Sequence, residues 1–259
     1  MDSIVNLLRE NHSVVEIARR LGVHRNAIYT SLHLMGIEDI REFRRSVKFN
    51  QYFFNQINTE EKAYWFGFLC ADGCVYIKNP IYRVQIHLGG VDIGHLRKWH
   101  KSIGSCQNVT KCGGMVNSAH HSQRMCNDLI AHGCVTRKSL VLKFPIIRND
   151  LMRHFIRGYF DGDGSIYWHQ NRGQSRGGMR LSIVGTRRFL GSLQSELNRS
   201  LGIKRKKLSS RPDHHLTFQL VIGVYREARR VAGWMYNGAS VFLDRKRLRY
   251  VEFCRKMEK

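Results

Sequence analysis

The feature that most constrains how this chain can fold is that it contains one pattern twice. Residues 64–75 (YWFGFLCADGCV) and 155–166 (FIRGYFDGDGSI) share an apolar run with a central glycine, a small residue four places later, and then Asp-Gly. Asp72 and Asp163 mark equivalent points, 91 residues apart. Landmarks downstream recur in the same order. One helical stretch ends in Ile103-Gly104 and its counterpart in Leu201-Gly202; another ends near Gly133 and near Gly238. A basic pair and an apolar residue then follow in both, in Arg137-Lys138-Ser139-Leu140 and in Arg245-Lys246-Arg247-Leu248. Four landmarks in register identify a duplication, in which each unit buries a face against its twin.

Between these landmarks the apolar period changes to two. Val84, Ile86 and Leu88 alternate with Arg83, Gln85 and His87, while Leu216, Phe218, Leu220 and Ile222 alternate with His215, Thr217 and Gln219. Such strands bury one face and turn a polar face outward. Turn signals at Asn79-Pro80, Gly113-Gly114, Arg172-Gly173, Gly177-Gly178 and Pro212-Asp213 separate them. Each half therefore reads helix, strand, strand, helix, strand, strand, helix. The junction falls between Phe144-Pro145 and Asp150, where proline closes one half and a new helix begins.

The first 37 residues have a different grammar. A short helix over residues 3–10 precedes Ile17, Ala18 and Leu21 at helical spacing, a tight turn at Gly22-Val23, and Ile28 and Leu32 on a further helix. This arrangement resembles a helix-turn-helix whose second helix offers His24, Arg25, Asn26, Tyr29 and Thr30 to a major groove. The expected organisation is a helix-turn-helix over residues 1–37, a helical connector over 38–62, a first repeat over 63–148 and a second over 149–259. Phe43, Val47, Phe53, Phe54 and Ile57 make the connector apolar enough to pack on the body.

A formal net charge of +23 narrows the partners. Residues 1–62 hold 9 basic against 8 acidic side chains, residues 63–150 hold 11 against 4, and residues 151–259 hold 23 against 8. A basic excess concentrated in the repeats points to a polyanion, nucleic acid above all. The near-neutral first segment weakens its own claim on DNA, because phosphate neutralisation supplies much of that affinity. Seven cysteines without a C-x-x-C spacing argue against a disulfide framework and a zinc ribbon. No run of eighteen apolar residues occurs and the first residues do not resemble a signal peptide, so the protein is expected to be soluble and intracellular, with no membrane partner.

Chemistry and fold meet in the duplicated helices. Gly67 with Ala71, and Gly158 with Gly162, place small residues four apart on one helix face, where two backbones can approach closely. Helices packed on those faces bring Asp72 and Asp163 together at their C-terminal ends. Two carboxylates there meet the negative ends of two helix dipoles, a conflict that a divalent cation resolves. An isolated Ala-Asp-Gly is usually only a turn. An EF-hand reading of Asp161, Asp163 and Ser165 fails, because Ile166 stands where that loop needs glycine and Arg172 where it needs glutamate.

With these motifs the chain resembles a single-chain LAGLIDADG homing endonuclease, the motifs being residues 65–73 and 156–164 and the likeness extending from residue 63 to about 253. The resemblance implies an α+β fold: tandem αββαββα repeats forming a pseudo-twofold saddle over the DNA major groove, joined here to a small all-α helix-turn-helix. It implies a monomer that cuts one phosphodiester of double-stranded DNA per motif, leaving short 3′ overhangs at a long asymmetric site. Asp72 and Asp163 are then the catalytic acids, and the magnesium site comprises them with Gly73 and Gly164. Manganese is expected to replace magnesium, and calcium to support binding without cleavage. Cys70 departs from the pattern, since the second motif has Asp161 there, and makes the halves unequal. The family's basic residues near the metal lie off the motifs; Lys138 and Lys246 are repeat-related candidates, and surface or packing lysines are an equal alternative.

The strand alternation nominates Lys78, Arg83, Gln85 and His87 in the first half for the groove, and Arg180, Lys207, Arg211, His215 and Gln219 in the second. Arginine pairs with guanine and glutamine with adenine in direct readout. A long loop, residues 170–180, adds Arg172 and Arg176 as backbone contacts. A non-cutting DNA-binding regulator and an RNA maturase on the same scaffold remain open as alternatives.

Overall fold

Two helices of matching sequence organise the larger part of this molecule. A computed structural model describes residues 2–9, 12–40, 49–170, 177–211 and 214–258. The chain divides into two compact units: Met1–Gln51 with His100–Asn108, and Tyr52–Trp99 with Val109–Lys259. Among the described residues, no helix is long and apolar enough to cross a membrane.

In the smaller unit, helices α1 (Asp2–Arg9), α2 (Val14–Leu21) and α3 (Arg25–Leu34) surround a core of Leu8, Val14, Ile17, Ala18, Ile28 and Leu32. The Ser13 hydroxyl accepts from Glu16 N at 3.1 Å and starts α2. Gly22, at φ +65°, ends it in the left-handed conformation that glycine adopts without strain. Leu21 does not join the core as its spacing predicts. It is the last residue of α2, next to the turn, and it is exposed.

Of the connector, residues 49–62 are described together with 38–40. Residues 51–55 form turns, in a segment punctuated by Asn50, Asn55 and Asn58. Phe53 and Phe54 are nevertheless buried, with Phe54 stacked on Trp99 at 6.0 Å between ring centroids. Phe43 and Val47 lie outside the described residues.

Thr59 then caps α4 (Glu60–Ala71), its hydroxyl accepting from Lys62 N at 3.3 Å, with Glu60 and Glu61 suiting the positive end of the helix. Every residue from Ala63 to Cys70 is buried, so this helix is apolar all round and lies inside the unit. Strands β1 (Gly73–Lys78) and β2 (Ile81–Gly89), helix α5 (Ile93–Ser102), strands β3 (Thr110–Cys112) and β4 (Met115–His121), and helix α6 (Gln123–Ala131) complete the first repeat. The second runs α7 (Asn149–Asp163), β5 (Gly164–His169), β6 (Gly178–Gly185), α8 (Arg187–Leu201), β7 (Ser209–Arg211), β8 (His214–Ile222) and α9 (Tyr225–Tyr236). Two antiparallel four-stranded sheets result, ordered β1-β2-β4-β3 and β5-β6-β8-β7. Helices pack on the faces that carry Val84, Ile86 and Leu88 in one sheet and Leu181, Ile183 and Leu220 in the other.

The repeats differ at their ends. The second adds α10 (Asp244–Glu258), whereas the first has only a short 3-10 turn at Lys138–Leu140 before Pro145. The alternation in β8 also holds for less of its length than the sequence suggests. Leu220 and Ile222 are buried, but Phe218 is half-buried and Leu216 is exposed, because Phe218 is the last residue of β8 paired with β6.

Candidate active site and nucleic-acid interface

The site begins with two glycines that cannot be anything else. A Cβ on Gly67 would lie 2.0 Å from Phe155 O, and one on Gly158 would lie 1.9 Å from Tyr64 O. Helices α4 and α7 therefore touch backbone to backbone. Farther along, a Cβ on Gly162 would lie 2.3 Å from Ala71 Cβ and 3.4 Å from Asp72 Cγ, so the crossing carries the Asp72 carboxylate to the end of the neighbouring helix. Asp72 is the C-cap of α4 and Asp163 the last residue of α7. Asp72 is exposed and Asp163 half-buried, so the pair opens to solvent.

The electrostatics follow from that placement. Burial, then the charge of Asp72, pushes the Asp163 carboxyl up to about 6. Although Asp72 is exposed as a residue, the protein packed around its carboxyl desolvates it and raises its pKa, against the opposing pull of Lys246 and Lys138. Both ammonium groups bond backbone carbonyls. Lys246, itself buried, donates from Nζ to the carbonyls of Phe160 at 2.7 Å, Asp161 at 2.7 Å, Gly162 at 3.2 Å and Gly164 at 2.6 Å. It thereby satisfies carbonyls that the end of α7 leaves without helical partners. Burial brings its own pKa down to about 8. Lys138 donates to Gly73 O and is half-buried. The repeat-related lysines are thus tied to backbone carbonyls while their charge still favours the ionised acids. The carbonyls of Gly73 and Gly164, expected as part of the cation site, each accept one ammonium N–H and keep a second lone pair.

Asp161, two residues before Asp163, does different work. Fully buried, it accepts from Tyr64 Oη at 2.7 Å, Tyr236 Oη at 2.6 Å and Leu243 N at 2.7 Å. His95 Nε2 lies 3.1 Å from Tyr64 Oη on the far side. In the first repeat the buried thiols of Cys70 and Cys134 are neighbours at the equivalent corner, and burial pushes the Cys70 thiol well up. The departure at Cys70 therefore lies in a structural corner and leaves the carboxylate pair intact. Among the described residues, no group of three or more His, Cys, Asp or Glu side chains converges on a common point.

On the faces opposite the helices, the strands present Cys74, Tyr76 and Lys78 from β1, Arg83, Gln85 and His87 from β2, and Asn117, Ala119 and His121 from β4. The Arg83 guanidinium lies 5.2 Å from the Tyr76 ring centre. In the second sheet, Arg180 pairs with Tyr167 and Gln219 with Val184 on the corresponding face, and Lys207 is exposed ahead of β7. Arg180 belongs to β6 rather than to the loop before it. Arg172, Arg176 and the side chains of Arg211 and His215 lie outside the described residues. In the smaller unit, Arg25, Asn26, Tyr29 and Thr30 are exposed on α3, while His24 caps that helix, its Nδ1 accepting from Asn26 N at 3.3 Å. The sequence pattern missed Asn117 and His121 because the buried side of β4 includes Ser118 and His120, leaving no apolar alternation to mark its faces.

Residues 150–232 match the model of the LAGLIDADG-like domain. No curated protein matches the chain. Among solved structures, the LAGLIDADG meganuclease I-AabMI bound to uncleaved DNA is 10% identical with a TM-score of 0.55, over 75% of this chain and 90% of that one. I-GzeII in complex with its DNA target gives 10% and 0.55, over 76% and 90%. I-LtrWI bound to target DNA gives 10% and 0.52, over 81% and 92%. Likenesses at such low identity carry the fold.

Proposed function

We propose that this chain, which has the LAGLIDADG homing-endonuclease fold, is a site-specific endonuclease that makes divalent-metal-dependent double-strand breaks in DNA as a monomer. One observation carries the reading: repeat-related Asp72 and Asp163 end two helices in backbone contact, and the proximity of Asp72 helps to raise Asp163 to about 6. Paired carboxylates held against each other at two negative helix ends fit a hard dication that keeps much of its water. Asp72 and Asp163 would hold it, one acid toward each strand. When bound, such an ion supplies Lewis-acid polarisation of the scissile phosphate and an attacking water of lowered pKa.

The chain's own groups do the rest. Lys246 and Lys138 fix the ends of the motif helices through the Gly164 and Gly73 carbonyls and place positive charge beside the acids, where a phosphate would approach. The polar strand faces, with Lys78, Arg83, Gln85 and His87 in one half and Arg180 and Gln219 in the other, together with Lys207 ahead of β7, suit base edges and phosphates of a major groove. Their unequal composition favours an asymmetric target. Arg25, Asn26 and Tyr29 on α3 provide a further contact on one flank, raising affinity through effective concentration.

The test is cleavage of a randomised-site plasmid library by the full chain in magnesium, with Asp72→Asn and Asp163→Asn proteins and a calcium lane beside it. Double-strand breaks at one sequence class are expected, falling at least about a thousandfold in either variant, equivalent to several kcal/mol of barrier, while DNA binding persists. Binding with no cutting in magnesium or manganese would overturn the nuclease reading in favour of a binding protein.

A further inference from the structure

We infer that Gln85 reads an adenine through a side-chain amide whose orientation is fixed from behind by Asn117 and Thr110. This rests on the reading of the chain as a site-specific binder of double-stranded DNA and names the base that one of its residues recognises.

The argument starts from a single peptide carbonyl. Asn117 O can only accept, and Thr110 Oγ1 lies 3.1 Å from it, so the one hydroxyl proton of Thr110 is committed there. The Thr110 oxygen is then left as an acceptor, and Asn117 Nδ2 donates to it at 3.3 Å. That bond decides which way the Asn117 amide faces: Oδ1 turns toward Gln85, whose Nε2 donates to it at 2.6 Å. One unambiguous carbonyl therefore orders two amides in succession, neither of which can turn over without losing a hydrogen bond.

Strand pairing supports the chain of bonds. Thr110 and Asn117 are register partners across β3 and β4, and Gln85 lies one step along the same exposed face of β2. The residues paired with Gln85 on either side are Cys74 and Ala119, both small, so the amide stands clear of its neighbours. The bond to Asn117 takes one N–H of Gln85 and leaves its second N–H and Oε1, side by side on the polar face of the sheet, for a base. In the major groove, adenine offers an N7 acceptor beside an N6 donor, which complements that pair, whereas guanine offers two acceptors and sets O6 against Oε1. Because the amide keeps one orientation, its donor and acceptor keep one order along the groove, which separates A·T from T·A. The order also exists before binding, so less side-chain freedom is lost in the complex.

The experiment is selection of bound duplexes from a randomised DNA library by the full chain in calcium, for wild type, Gln85→Ala, Asn117→Ala, Thr110→Val and Thr110→Ser, with thermal melting of each protein alongside. Gln85→Ala is expected to abolish the preference at one A·T pair, by about ten- to a hundredfold, and to leave other positions unchanged. Asn117→Ala and Thr110→Val weaken the same position, while Thr110→Ser, which keeps the hydroxyl, preserves it. A Gln85→Ala profile identical to wild type, or a wild-type preference for G·C at the affected pair, would overturn the inference. So would a Thr110→Val protein that reads this pair as wild type does. A wild-type protein that selects no sequence at all gives a separate pattern and overturns the site-specific reading itself.

Discussion

Tyr64, near the start of the first motif helix, donates its phenol to Asp161 of the second at 2.7 Å. The same carboxylate takes the Tyr236 phenol and the Leu243 amide, so one buried acid joins both repeats to the segment that leads into α10. Asp161→Ala would leave the buried Tyr236 hydroxyl and Leu243 amide without this acceptor and Tyr64 with His95 Nε2 alone, at about 1–3 kcal/mol for each group left unpaired. The expected loss is at least about 3 kcal/mol in denaturant unfolding, and less for Asp161→Asn, which keeps one oxygen. A change under about 1 kcal/mol for the alanine variant would sink this account of the tie.

Backbone contact between the motif helices predicts opposite results for two chemically identical substitutions. A methyl group at Gly158 would overlap Tyr64 O, and neither backbone can yield without separating the helices. Gly158→Ala should therefore destabilise by more than about 4 kcal/mol or prevent accumulation of folded protein. Gly191, inside α8, has open space where its Cβ would stand. Gly191→Ala should stabilise by up to about 1 kcal/mol, because alanine gives up less backbone freedom on folding. Thermal and denaturant melts of both variants decide the matter.

Protons and cations should compete for the carboxylate pair. The Asp163 carboxyl lies at about 6, above its ordinary 3.8, so folding favours its protonated form. Its stabilising contribution is complete below about pH 4 and is lost as the pH rises through about 6. In EDTA, the wild-type melting temperature should carry a downward component across that window which Asp163→Asn lacks. A divalent cation reverses the sign, stabilising the protein at pH 7 and losing affinity as the pH falls below about 6. Manganese binding to the DNA-free protein at pH 5 and pH 7.5 measures this, and equal affinity at the two values would contradict it.

The sequence by itself determined the duplication, the two helices meant for each other and the aspartates at their ends. Those features are local or periodic: Gly67 and Gly158 mark a close crossing, and Asp72 and Asp163 follow at a fixed distance along the helix. Alternation likewise declared the faces of β2, where Val84, Ile86 and Leu88 are all buried. It declared nothing for β4, where buried Ser118 and His120 look as polar as exposed His121. It misplaced Leu21 and Leu216, because hydrophobicity records a tendency to be buried while an element's end decides whether anything covers it. Only the tertiary structure separated the roles of Asp161 and Asp163, two residues apart in one motif. One turns into the interior to meet Tyr64 and Tyr236 from distant parts of the chain, and the other stays half-buried within reach of the Asp72 charge. Only there, too, do Lys138 and Lys246 find backbone carbonyls 65 and 82 residues away as their partners. A hydrogen bond depends on where two atoms finally meet, and residues so far apart in sequence leave no period by which that meeting could be read.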